Sequence, residues 1–103
     1  MVQVHVDLAV DPAKEHDTLR YFQTVFRPAA MKFRGYVDVR LLKLLAVPIG
    51  TADAALNYRF AITYENEELR QKWVASEIHQ EVWGGLEKML STPNYTVILF
   101  EVI

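Results

Sequence analysis

The 103-residue chain contains no cysteine, which excludes a disulfide framework, thiolate zinc or iron-sulfur ligation, and a thiol nucleophile. Only four glycines and four prolines are present, too few for a collagen-like, low-complexity or linker chain. No stretch approaches the roughly 18 uncharged apolar residues of a membrane span. The start, Met1-Val2-Gln3-Val4-His5-Val6-Asp7, has no basic segment before an apolar run, so no secretion signal or lipid anchor is expected. An excess of positive charge is missing too. Eleven Lys and Arg against 13 Asp and Glu give a net charge of -2, which argues against nucleic acid as a partner. A cytoplasmic address fits these absences. What is present is 51% hydrophobic and 23% charged residues, the composition of one ordinary compact domain.

Six elements follow from periodicity. Val2, Val4, Val6, Leu8 and Val10 alternate with polar or small residues, the pattern of a strand with one buried face. Asp11 offers an N-cap and Pro12 a preset first helical position. Leu19, Phe22, Phe26, Ala29 or Ala30 and Phe33 then recur at helical spacing, with a kink or shortening expected at Pro28. Arg34-Gly35 ends that helix. A second strand is expected over 36–47, a third over 56–64 after the turn-rich Pro48 to Asp53, and the two should pair as an antiparallel hairpin. Asn66 caps a second helix with the apolar stripe Leu69, Trp73, Val82 or Trp83, Leu86 and Leu90, weakened in its middle by Gly84-Gly85. Residues 95–103 form the last strand.

The order strand, helix, strand, strand, helix, strand predicts a ferredoxin-like α+β sandwich, a four-stranded antiparallel sheet with two helices on one face. Val6, Leu8, Val37, Val39, Phe60 and Ile62 are assigned to the helix side. His5, Asp7, Asp38, Arg40, Asn57, Arg59 and Thr63 then share the opposite face, where acids and arginines neutralise one another. Leu42, Leu44 and Phe100 favour covering of that face by a second copy, so a homodimer is expected.

The element order, the hairpin ending in Tyr64, and the segment from Tyr64 through Trp73 and Ser76 to His79 resemble the dimeric α/β-barrel superfamily, in particular its antibiotic-biosynthesis-monooxygenase-like branch. The resemblance covers nearly the whole chain in pattern and Tyr64 to His79 in motif. It implies a homodimeric barrel, a pocket between sheet and helices, and, for some members, oxygenation of phenolic or quinol-like compounds without metal or flavin. Haem-degrading relatives carry an Asn, a Trp and a His at positions that align with Val6, Tyr64 and Trp83 here; all three depart from that pattern, so haem cleavage is not carried over.

Cofactor-free oxygenation needs a general base of near-neutral pKa to make an electron-rich anion, and His79 is the candidate. Ser76, three residues earlier, is expected beside it on one helix surface. Tyr58 and Tyr64 offer hydroxyls, and Trp73 and Trp83, about 80° apart on a continuous helix, offer flat aromatic walls for a small planar hydrophobic ligand. Gly84-Gly85 would widen the cleft by bending the helix. No nucleophile elbow accompanies Ser76. His5-x-Asp7 and His16 do not complete a metal-ligand set, so no metal and no cofactor are expected. Arg34-Gly35-Tyr36-Val37 faintly echoes an RNA-recognition strand but lacks its further aromatics. Glu65, Glu67, Glu68, Arg70 and Lys72 read as a solvated helix start. The expected activity is a cofactor-independent monooxygenase acting on a planar phenol or quinol. The alternatives are a non-catalytic ligand-binding or stress-associated dimer, and an isomerase using the same histidine base.

Overall fold

The computed structural model describes all 103 residues. Alternating valines make β1 (Val2–Leu8) the central strand, flanked by β3 (Tyr58–Tyr64) and β4 (Thr96–Glu101), while β2 (Tyr36–Lys43) pairs with the far side of β3. The order is β2-β3-β1-β4 and every pairing is antiparallel, the ferredoxin-like arrangement the sequence predicts. Val4, Val6 and Leu8 sit opposite Ile62, Phe60 and Tyr58, so the buried residues of two strands form one continuous apolar surface beneath the helices.

The first crossover is a single helical segment with three geometries. Asp11 accepts a hydrogen bond from the Ala13 amide at 3.0 Å and opens a short 3-10 turn, Pro12–Lys14. It continues as α1 (Glu15–Tyr21), a wide π-type stretch over Phe22–Phe26, and α2 (Arg27–Met31). Pro28 explains the wide stretch. Its ring crowds the carbonyl four residues back, and widening the turn, with the Arg27 amide reaching Phe22 O, relieves that crowding without a break. Phe22 and Phe26 then both pack on Phe60, at ring-centroid distances of 5.4 and 5.0 Å.

Several boundaries differ from expectation. The first strand stops at Leu8, and Val10 keeps only an isolated bridge to Leu90. Strand β2 ends at Lys43 and β3 begins at Tyr58, leaving residues 44–57 as a connecting arm. Val37 is exposed and not on the helix side, because a bulge between Tyr36 and Asp38 inserts one residue and turns Tyr36 inward instead. Asn57 is not on the open sheet face; its side chain bonds both the amide and the carbonyl of Val10, at 2.8 and 3.0 Å.

The second crossover is two helices, α3 (Glu67–Ala75) and α4 (Glu77–Glu87), broken at Ser76. Gly84-Gly85 does not interrupt α4, which runs through both. Gly85 is there for a different reason: a Cβ would lie 2.2 Å from the hydroxyl of Tyr21, which donates to the Val82 carbonyl at 2.8 Å. Gly35 is likewise required, with φ +97° and Leu69 pressed against the place its Cβ would occupy.

The other face of the sheet has no helix over it. Asp7 and Arg59 form a two-point ion pair across β1 and β3, at 2.6 and 3.1 Å, Arg40 pairs with Asp38, and His5 bonds Gln3 while its ring rests 4.9 Å from that of Phe100. The pairing expected for Asp7 is present; His5 turns to glutamine rather than to an arginine.

Candidate functional site

A cleft of about 330 Å³ lies between the sheet and the α3–α4 corner. Its floor is Val4, Val6, Ile62 and Tyr64 from the sheet with Phe26 from the first crossover; its walls are Arg70 and Val74 from α3, His79, Gln80, Trp83 and Glu87 from α4, and Tyr95 and Val97. The size and mostly apolar lining suit a small organic molecule.

The break at Ser76 builds this cleft. Ser76 adopts an extended conformation (φ -72°, ψ 151°), its hydroxyl donates to Trp73 O at 2.7 Å, and the same oxygen accepts from the His79 amide at 3.2 Å. One side chain thus ends α3 and caps α4. The Val74 carbonyl released by the break is taken by Gln80 Nε2 at 3.0 Å. On an unbroken helix residues 73 and 79 would point about 120° apart. Here the His79 ring stands edge-on to Trp73, with centroids 5.2 Å apart, and lies parallel to Trp83, at 6.3 Å and 4°.

The imidazole is asymmetric in its surroundings. Nδ1 is buried and has no hydrogen-bond partner, whereas Nε2, also unbonded, is not closed off, so Nε2 is the nitrogen a cleft occupant can meet. Burial holds the His79 pKa below its ordinary value of 6.5; the Val74 carbonyl opposes the shift without reaching hydrogen-bond geometry at Nδ1. A histidine in this state is a neutral base at neutral pH.

Tyr64 supplies the complementary character. It is buried at the end of β3, and burial pushes its phenol far above the usual range, with the Arg70 charge and the Trp73 indole opposing. It therefore stays protonated and able to donate. Trp73 Nε1 is a second buried group without a hydrogen-bond partner, lying near the Tyr64 phenol without reaching bonding geometry. Arg70 is mostly buried and bidentate to Glu67, whose carboxyl falls to about 2 chiefly because of those two bonds.

The sequence-derived candidates separate into groups. Tyr64, His79 and Trp83 line the cleft together. Trp73 and Ser76 lie one layer behind: Trp73 packs on Phe33 and His79, and Ser76 shapes the backbone. Ser76 is not on a helix surface beside His79, as the helical reading had it, but between two helices, because its side chain bonds the backbone on both sides. Tyr58 stands elsewhere. Its hydroxyl donates to Glu15 at 3.0 Å, and burial together with that carboxylate pushes its pKa up to about 12. Arg70, Gln80 and Tyr95 were not singled out as cleft residues. Arg70 belonged to a charge run that reads as solvated, and only the chain's course after Thr92-Pro93-Asn94 brings Tyr95 within 5.3 Å of Trp83, edge-on.

No group of three or more His, Asp or Glu is placed to hold a metal ion, and no helix is long and apolar enough to cross a membrane. No protein-family model matches the chain, and no curated protein sequence does. Solved structures do match. A Caulobacter crescentus protein provisionally described as an antibiotic biosynthesis monooxygenase superposes with a TM-score of 0.79 at 11% identity, over 99% of this chain and 89% of that one. A Bordetella bronchiseptica protein with the same provisional description gives 0.78 at 19% identity, over 99% and 96%. A dimeric ferredoxin-like protein of unknown function from Jannaschia sp. gives 0.78 at 16% identity, over 98% of each chain. The ferredoxin-like fold is therefore shared with the group that the Tyr64 to His79 segment resembles.

Proposed function

We propose that the chain is a homodimeric, cofactor-independent monooxygenase that oxygenates a small planar phenolic or quinol-type compound in the Tyr64–His79–Trp83 cleft. The observation that carries this reading is His79: a neutral imidazole facing an apolar cleft through Nε2, fixed against two indoles. In such a reaction Nε2 takes a proton from the substrate, and the resulting anion gives an electron to dioxygen. One oxygen atom joins the substrate carbon; the other leaves as water with two substrate hydrogens, so the substrate itself is the reductant. Tyr64 donates to the substrate oxygen where negative charge builds up. Trp83, Tyr95 and Phe26 exclude water.

The test is oxygen uptake by metal-stripped protein with hydroquinones, dihydroxyanthrones and catechols, comparing wild type with a folded His79→Ala variant. Uptake that drops roughly 10²–10⁴-fold in the variant is expected. Turnover unchanged by the substitution overturns His79 as the base. Proton exchange at the substrate carbon without oxygen consumption would instead identify an isomerase using the same histidine.

A further inference from the structure

The connection from β2 to β3 does not have the composition of a solvated loop. Across residues 44–57, Leu-Leu-Ala-Val-Pro-Ile-Gly-Thr-Ala-Asp-Ala-Ala-Leu-Asn, the only charged residue is Asp53. Yet Leu45 is 97% and Ile49 93% exposed. Gly50, at φ +87°, takes the left-handed conformation at the crown and leaves Ile49 projecting. The arm is nevertheless anchored at its root, where the Leu44 amide donates to Asn57 O at 2.8 Å.

At that root lies a cleft of about 290 Å³ with Leu42, Leu44, Leu45 and Leu56 on its apolar side and the charged Asp7, Arg59, Lys43 and Asp53 around the rest. Asp7 and Arg59 belong to the uncovered sheet face, so the cleft opens beside that face. The chain therefore carries both an apolar projection and a recess with a leucine-rich wall large enough to take an aliphatic side chain. A two-fold pairing of identical chains needs this combination, since each copy must offer the knob and the hole.

The surface area agrees. The isolated chain exposes 6740 Å², where a compact monomer of its 11.9 kDa mass exposes about 6,000 Å². The surplus, on the order of 700 Å², is that of an arm that projects from the domain instead of folding back on it.

We infer that the 44–57 arm is a dimerisation arm: Ile49 of each copy seats in the Leu42–Leu44–Leu45–Leu56 cleft of a second copy of this chain. The inference rests on the homodimeric part of the proposed function and adds to it a locking element outside the flat of the sheet. It places the specificity of self-association in the arm.

Sedimentation velocity over a micromolar concentration series tests it, with wild type, Ile49→Asp and Ile49→Leu, each checked for native circular dichroism. Ile49 makes so little contact within its own chain that the variants fold. Wild type is expected to run as a dimer, Ile49→Leu to match it, and Ile49→Asp to dissociate with at least a roughly hundredfold weaker constant, because the contact is lost twice by symmetry. A wild-type dimer that Ile49→Asp leaves intact overturns the arm and leaves the dimer standing. A wild-type monomer overturns both. A monomer that binds phosphatidylcholine vesicles through Ile49 overturns the proposal in favour of a lipid surface.

Discussion

The imidazole of His79 lies parallel to the indole of Trp83, one helical turn further along α4, with 4° between the planes. Their i, i+4 spacing puts both on the cleft face, while Trp73, from a different helix, meets the imidazole edge-on. The imidazole is thus held by aromatic packing, with no hydrogen bond of its own.

That packing sets a pH dependence. Because burial lowers the folded pKa of His79 below the ordinary 6.5, protons bind the unfolded chain more readily than the folded one as pH falls. The contribution to stability is complete above about pH 6.5 and declines as pH drops from there toward the lowered folded value. Urea midpoints of wild type should fall across this interval, and those of His79→Phe should fall less. Turnover, if His79 is the base, should rise with pH through a midpoint below 6.5 and then stay level.

Ser76 gives a second prediction. Ser76→Ala removes the cap of α4 and the bond to Trp73 O, at a cost of about 1 kcal/mol. It also favours continuation of α3 into α4, which would swing His79 away from Trp73. Lower urea stability should therefore come with a change in indole fluorescence and with loss of activity, whereas Ser76→Thr, which keeps both the donor and the acceptor, should retain stability and activity.

Adjacent glycines should respond with opposite sign. Gly85→Ala drives a methyl group into the Tyr21 phenol and breaks its bond to Val82 O, costing about 1–3 kcal/mol. Gly84→Ala meets open space and should stabilise α4 by about 0.5–1 kcal/mol. Thermal unfolding of the two single variants checks both.

Arg70, held by Glu67, stands at the cleft wall. Glu67→Gln leaves the guanidinium without its carboxylate, so a planar anion such as a naphthoate should bind several-fold more tightly to the variant than to wild type. The gain should fade as salt is raised. Calorimetric titration at two ionic strengths measures it.

Much of this architecture is legible in the residues alone. The alternation of Val2 to Leu8 and of Tyr58 to Tyr64 reports strands with one buried face, and the core side of both is as their pattern predicts, because a period of two leaves no other register. Tyr64 and His79 stand out through the resemblance that the Tyr64 to His79 segment carries, and alternation along β3 puts Tyr64 on the helix side. What could not be read is where spacing stops being regular. A serine in a helical pattern looks like a helical serine until its side chain is seen to bond the backbone on both sides. The bulge beside Val37 adds one residue that no alternation signals. Arg70 looks like surface because its neighbours are charged; only the packing of α3 against β3 shows that it turns inward.

The two hydrogen bonds between the Asn57 side chain and the Val10 backbone, together with the Leu44 amide on Asn57 O, close the 44–57 segment at its neck. Everything beyond that neck is structurally optional for the sheet. Since loop closure costs only about 0.6 kcal/mol for each doubling of length, the segment can be shortened, lengthened or exchanged while β2 and β3 keep their register. The same domain can therefore acquire or lose neighbours by changes in twelve positions, 45–56, without any alteration to the cleft that His79 faces.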